Sequence, residues 1–201
     1  MAPLILYFLI LFTTSITSSS ARLADPTPTT WPEQFHSTII WQSENKTQLD
    51  TLELWYDWTN GVSMSIVQRQ LGKLLYGPEW SNGTSFRFTV DSSKECSVLQ
   101  GGMVRPDWFR GAKYVGQVYM DDFLCNAWIV DGFMMYYEEV AYKRPVAWKS
   151  LEGQGTEHVM TFEVGKVLDH SYWQAPVYCF NDSGELKKKG MDKKRFGIYR
   201  I

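Results

Sequence analysis

The sequence predicts a mainly β protein, built as a single strongly curved antiparallel sheet or half-barrel with one or two short helices. Alternation is the first observation behind this: Leu52, Leu54 and Tyr56 interleave with Glu53, Trp55 and Asp57, the period of two that lets a strand bury one face. Punctuation is the second. Asn60-Gly61, Asn82-Gly83, Asp121-Asp122 and Asp131-Gly132 supply turn residues between successive alternating runs, as antiparallel hairpins require. The third is number, since roughly nine to eleven short strands in one domain must curl, close or split into two layers.

Taken in order, the chain opens with an apolar run from Leu4 to Phe12, followed by Ser, Thr and Ala21. Residues 1–21 are expected to be a secretory signal peptide cut between Ala21 and Arg22. The run falls short of the roughly twenty apolar residues a spanning helix needs, and no transmembrane segment is expected elsewhere. Residues 22–34 hold Pro26, Pro28 and Pro32 among threonines and read as an extended lead-in, with Trp31 placed to pin it to the body. The β domain is expected over residues 35–181. Its first half carries candidate strands at Ser37 to Gln42, Leu49 to Trp58, Ser63 to Leu71, Lys73 to Tyr76, Ser85 to Val90 and Ser97 to Gln100. Pro106 and Gly111 then frame an expected helical turn. The second half repeats the strand pattern at Ala112 to Met120, Phe123 to Val130, Met134 to Val140 and Ala147 to Leu151. A last run, His158 to Val164, puts His158, Met160, Phe162 and Val164 on one face, expected to be buried. Residues 182–201 carry Lys187 to Lys189 and Lys193 to Arg195 and read as a disordered basic tail.

Secretion changes how the cysteines and asparagines read. Cys96, Cys125 and Cys179 stand in a compartment that permits disulfides, and three pairings are possible. A Cys96–Cys179 bond would close the longest loop, and Cys125 sits in an apolar strand suited to a buried thiol. Asn45, Asn82 and Asn181 each begin an Asn-x-Ser/Thr sequon in an expected loop or turn, so N-glycosylation is expected at all three.

The stretches LWYDWTNG (54–61), WSNGTSF (80–86), FLCNAW (123–128), YKRPVAW (142–148), HVMTFEVG (158–165) and WQAPVYCF (173–180) resemble a family of secreted plant proteins of undefined role, some of which carry the designation of glycosyl-group transferase. More remotely, Tyr56-Asp57, Gly61, Leu75-Tyr76, Cys96, the segment Tyr114 to Gln117, Trp128, Pro176 and Cys179 resemble the ependymin-related proteins. The latter resemblance implies a curved antiparallel sheet like that of the lipoprotein carriers LolA and LolB. It also implies a Cys96–Cys179 disulfide, with Cys125 left as a free thiol because its usual partner would fall near Gly165 to Val167. An apolar ligand class is implied as well.

Chemistry finds little foothold in these residues. Asp121-Asp122 is a turn pair, unlike a spaced Asp-x-Asp that grips a nucleotide-sugar metal. Among the two Glu of Glu138-Glu139, alternation turns only one inward, and a solvated strand end is expected. His36, His158 and His170 are isolated from one another and from Cys at zinc-ligand spacing. His158 is expected as a hydrogen-bonded strand residue. No catalytic residue, metal site, cofactor or nucleic-acid partner is expected. The expected function is a secreted glycoprotein that binds an apolar or amphipathic small molecule or lipid, without catalysis, in the concave face of its sheet. Trp55, Met64, Trp128, Met134 and Tyr136 are the candidate lining residues, though alternation leaves open which strand face lines a cavity. The alternative is an extracellular carbohydrate-active protein, lectin-like or glycosyl-transferring, that engages cell-wall polysaccharide through exposed Trp80 and Trp108.

Overall fold

The computed structural model describes residues 24–44, 47, 49–152 and 155–180. The expected signal peptide of residues 1–21, the sequons at Asn45 and Asn181, and the residues 182–201 read as a basic tail lie outside the described residues. Within them the chain forms twelve strands: β1 (Gln34–Gln42), β2 (Leu49–Asp57), β3 (Val62–Arg69), β4 (Leu74–Trp80), β5 (Thr84–Phe88), β6 (Cys96–Gln100), β7 (Lys113–Met120), β8 (Phe123–Val130), β9 (Met134–Glu139), β10 (Pro145–Ser150), β11 (Thr156–Val159) and β12 (Glu163–Val164). They make one open antiparallel sheet in the order β6-β5-β4-β3-β2-β1-β11-β10-β9-β8-β7, with β12 also paired to β1. Two meanders therefore meet back to back. One runs outward from β1 to the β6 edge, and the other starts at the β7 edge and returns to β1.

This topology forces curvature. The connection from β6 to β7, residues 101–112, joins the two opposite edges of the sheet. Ten strand spacings laid flat would measure roughly 48 Å, and the thirteen Cα–Cα steps from Gln100 to Lys113 reach at most about 47 Å even when fully extended. Part of that reach is spent in tight turns, where Trp108, Arg110 and Ala112 donate their backbone N–H groups to Arg105, Asp107 and Phe109. The sheet must bend until its edges approach. The same limit explains a difference from the sequence expectation: residues 106–111 are turns, not a helix, because a helix rising 1.5 Å per residue would shorten the link further. The helical pieces are two 3-10 turns elsewhere, His170–Tyr172 and Val177–Cys179.

Both faces of the sheet are covered. The crossover of residues 101–112 and the lead-in lie over one face, which carries Phe35, Ile39, Leu52, Leu54 and Tyr56 from β1 and β2 and Trp128, Tyr136 and Trp148 from the second meander. Where the crossover starts, the sheet beneath is pared down to Ser65, Gly77 and Ser85, all buried. Gly102 donates its N–H to Ser85 Oγ at 3.1 Å. A Cβ on Gly77 would stand 2.4 Å from Ser65 Oγ, and one on Gly102 2.6 Å from the Trp80 carbonyl, so larger residues would lift the crossover off the sheet.

The opposite face of β2 to β6 is covered by the C-terminal strap, residues 165–180. Trp173 packs with Val62 and Met64, and Cys179 packs with Phe86 and Phe88. The Cys96–Cys179 disulfide staples the strap to the β6 edge, the pairing that the ependymin-like resemblance implies. Cys125 is free and buried, and burial pushes its thiol up to about 11.

Two sequence expectations are corrected here. The final run does not bury one face: β11 ends at Val159, Met160 and Val164 are exposed, and Phe162 is half-buried against Phe35. The break arises where the N–H groups of Met160 and Thr161 both turn to the Thr38 carbonyl. Glu138 and Glu139 are both buried, in place of the expected solvated strand end. The lead-in covers the first, and the Arg144 guanidinium pairs with the second at 2.7 Å.

Candidate binding site

The interior under the crossover is built from aromatic rings. Register places Tyr114, Trp128, Tyr136, Trp148 and Glu157 side by side across β7 to β11 on one face. Above that row stands Trp31 of the lead-in, with ring centroids 5.3 Å from Phe35, 5.9 Å from Tyr56, 5.6 Å from Trp108 and 5.9 Å from Trp148. Phe109 of the crossover stacks on Tyr136 at 4.8 Å. These edge and offset contacts let the ring quadrupoles attract one another. The sheet supplies the floor, while two stretches without regular structure supply the roof.

A few polar contacts hold that roof. Trp31 N donates to the Pro106 carbonyl at 3.0 Å, which ties the lead-in to the crossover. Trp128 Nε1 donates to the Pro26 carbonyl and Tyr56 OH to the Val104 carbonyl, each at 2.9 Å. Glu138, 1 % exposed, accepts from Thr29 N at 2.8 Å and from Thr29 Oγ1 at 3.1 Å. Burial raises its carboxyl while the Thr29 donors draw it back down. Replacing Thr29 by Val removes one of these donors and leaves a buried carboxyl oxygen short. The expected cost is about 1–2 kcal/mol in urea unfolding, with faster proteolytic nicking of the lead-in in the folded protein.

Two donors inside this interior find no acceptor among the described residues. The indole Nε1 groups of Trp31 and Trp108 are buried and unpaired. Trp31 Nε1 has the Tyr136 hydroxyl as a weak neighbour, which draws that phenol part of the way back down, while Trp108 Nε1 has none among the described residues. Burial holds the hydroxyls of Tyr136 and Tyr56 well above the ordinary phenol range, so both are neutral donors. An unpaired buried N–H costs about 1–3 kcal/mol, and such groups mark places where an acceptor belongs.

Further along the row, Glu157 is 8 % exposed and accepts from Trp148 Nε1. Burial pushes its carboxyl up to about 8, against the pull of that donor. Glu79, half-buried on β4, is pushed up to about 7 by burial, opposed by Arg87.

Trp128, Met134 and Tyr136 fall together in this interior cluster. Met64 and Trp55 lie on the other face of the sheet, grouped with Trp173 of the strap. There the Trp55 ring also stacks on His36 at 3.9 Å. Trp80 and Trp108 are half-buried and packed, Trp80 edge-on to Phe86 and Trp108 against Trp31. His158 bonds Asp121 at 2.8 Å. Asn82 is exposed on the β4–β5 turn. Sequence reasoning missed Thr29, Tyr56, Phe109, Trp148 and Glu157 as parts of the interior. For Glu157 the available signal was an acid sharing a strand face with Val159, one of the interior's apolar residues.

Together these features define an open-sheet β protein with a roofed aromatic interior. The chain belongs to the family described as a domain of unknown function, DUF8395, which matches residues 30–179, from just before Trp31 within the lead-in to the strap cysteine. No curated protein matches the chain. Among solved structures, an uncharacterised conserved protein from Thermus thermophilus is similar, with 11 % identity and a TM-score of 0.51 over 79 % of this chain and 91 % of that chain. MucB is similar at 11 % identity and a TM-score of 0.41, over 72 % of this chain and 57 % of its own. MucB in complex with MucA(peri) gives 10 % identity and 0.42, over 78 % and 57 %. The Thermus likeness is one of fold.

Proposed function

We propose that this chain is a secreted, non-enzymatic binding protein that takes an apolar or amphipathic ligand into its aromatic interior, between the sheet and the roof of lead-in and crossover. The observation that carries this reading is the pair of buried indole N–H groups, on Trp31 and Trp108, that lack a well-formed acceptor in an interior otherwise made of packed rings. A ligand with an apolar body and a carboxylate, carbonyl or hydroxyl head matches such a lining. Trp128, Met134 and Tyr136 contact its apolar part, and the irregular roof is the portion that moves to admit it. The resemblance to secreted plant proteins and to ependymin relatives, and the disulfide, agree with an extracellular setting.

The carbohydrate alternative has less behind it. By register, Glu138 and Glu157 stand two strands and two residues apart, roughly 12 Å, beyond the 5 to 9.5 Å of paired glycosidase carboxylates. Each also has an intramolecular donor.

A fluorescent anthroyloxy-stearate probe tests the proposal on protein recovered from a secretory host. Saturable binding at one probe per chain is expected, weakened about tenfold in Trp31→Phe and Trp108→Phe, which keep an aromatic ring and lose the donor, as a hydrogen bond worth about 1.4 kcal/mol implies. Failure to bind the probe, together with retention on a panel of wall polysaccharides, would favour the alternative.

A further inference from the structure

The two edges of the sheet are treated differently. At β6 the edge is guarded by the Val177–Cys179 turn and the Cys96–Cys179 bond. At β7 the sheet ends, and among the described strands β7 pairs with β8 alone. Its residues alternate between exposed and half-buried from Lys113 to Gly116, and then Gln117, Val118 and Tyr119 are all exposed. Val115, Val118 and Tyr119 of β7 and Phe123 and Leu124 of β8 are 44 %, 40 %, 76 %, 44 % and 39 % exposed, a run of bare apolar side chains on one hairpin. Edge strands normally carry charges, proline or a bulge against unwanted pairing. Here Lys113 opens the strand and a bulge lies between Tyr114 and Gly116, and beyond it Gly116 to Met120 has neither charge nor proline.

We infer that β7 is a self-association edge, on which a second copy of this chain adds its own β7 in antiparallel register about a two-fold axis near Gln117 and Val118. Charge chooses this occupant and orientation. Lys113 stands at one end of the strand, and Asp121 and Asp122 form the turn at the other. Antiparallel pairing of two copies carries each Lys113 toward the partner's acidic turn, whereas parallel pairing would set lysine against lysine. Asp121 already bonds His158, so Asp122, exposed in the same turn, is the carboxylate offered to the incoming lysine. The pairing satisfies the outward backbone groups of Gly116 to Met120 and brings the Val118 and Tyr119 side chains of the two copies together. It leaves the roofed interior untouched, so it stands independently of the ligand proposal.

Sedimentation velocity of the full, disulfide-intact protein over a range of concentrations tests this. A reversible monomer–dimer equilibrium is expected. Val118→Lys is expected to abolish the dimer, and Lys113→Glu to weaken it at least tenfold, with circular dichroism unchanged in both. Gln117→Cys, lying near the axis, is expected to give a covalent dimer under mild oxidation. A monomer at every concentration would overturn the inference, as would a dimer indifferent to Val118→Lys or a Gln117→Cys variant that fails to cross-link.

Discussion

Replacing both Cys96 and Cys179 by Ala is expected to remove about 4.5 kcal/mol of stability, the loop-closure entropy of a bond whose cysteines lie 83 residues apart. The loss concentrates in one place. The strap touches the sheet through Trp173, Leu168, Ala175, Tyr178 and Phe180, laid on Val62, Met64, Phe86 and Phe88. Its own regular structure is limited to two three-residue 3-10 turns. With the staple gone, the strap is held by packing and a few hydrogen bonds, and the buried β3 and β5 side chains beneath it become accessible. Urea unfolding checks the magnitude, with the midpoint falling and a change in Trp173 fluorescence preceding the main transition. A loss under about 1 kcal/mol, the size of an ordinary substitution, would show that packing alone secures the strap. Cys125 serves as an internal control, since its buried thiol, raised to about 11, is expected to resist alkylation until the sheet itself opens.

That strap also explains which parts of the molecule are legible in the sequence. Strand positions follow from a period of two and from turn residues, both local, and Asp121, Asp122 and Asp131 do adopt the positive φ their turns require. The choice of interior face is not local. In β3, Val62, Met64 and Ile66 alternate with Ser63 and Ser65, which reads as an apolar core face and a polar solvent face. Both sides are buried: the apolar side faces the strap, and the serine side lies on the face roofed by the crossover, with Ser65 directly across from Gly77. Composition therefore groups Met64 and Trp55 with Trp128, Met134 and Tyr136, although the sheet separates them. Trp31 is legible as a pin because a lone Trp in a Pro/Thr stretch has few other uses. The acceptance by Glu138 of hydrogen bonds from Thr29, 109 residues away, is not legible, because no local pattern encodes it.

Raising the pH from 5 to 8 is expected to destabilise the fold, by an amount set chiefly by Glu157. Its carboxyl ionises near 4.5 in the unfolded chain and is pushed up to about 8 in the folded one by burial beside Trp148. Between those values the folded protein holds a proton that the unfolded chain has released, so stability is full below 4.5 and declines as pH rises toward 8. At about 1.4 kcal/mol per pH unit for one proton, the loss is on the order of a few kcal/mol. Glu79, pushed up to about 7, adds to the same slope over the window from 4.5 to 7, and less strongly because it is only half-buried and faces Arg87. Asp91 works in the opposite sense. Hydrogen bonds from Ser93 and Thr89 lower it to about 2, and its contribution is lost only as pH falls from the ordinary carboxylate range through that value. Stability should therefore peak near pH 4.5 to 5. Replacing Glu157 by Gln keeps an oxygen for Trp148 Nε1 while removing the titration, so the variant should lose most of the slope and exceed the parent in stability at pH 8. Urea midpoints at pH 5, 6, 7 and 8 for both proteins decide it: a parent whose stability stays level or climbs across that range would mean that water reaches the Glu157 carboxylate, and that this end of the aromatic row is open.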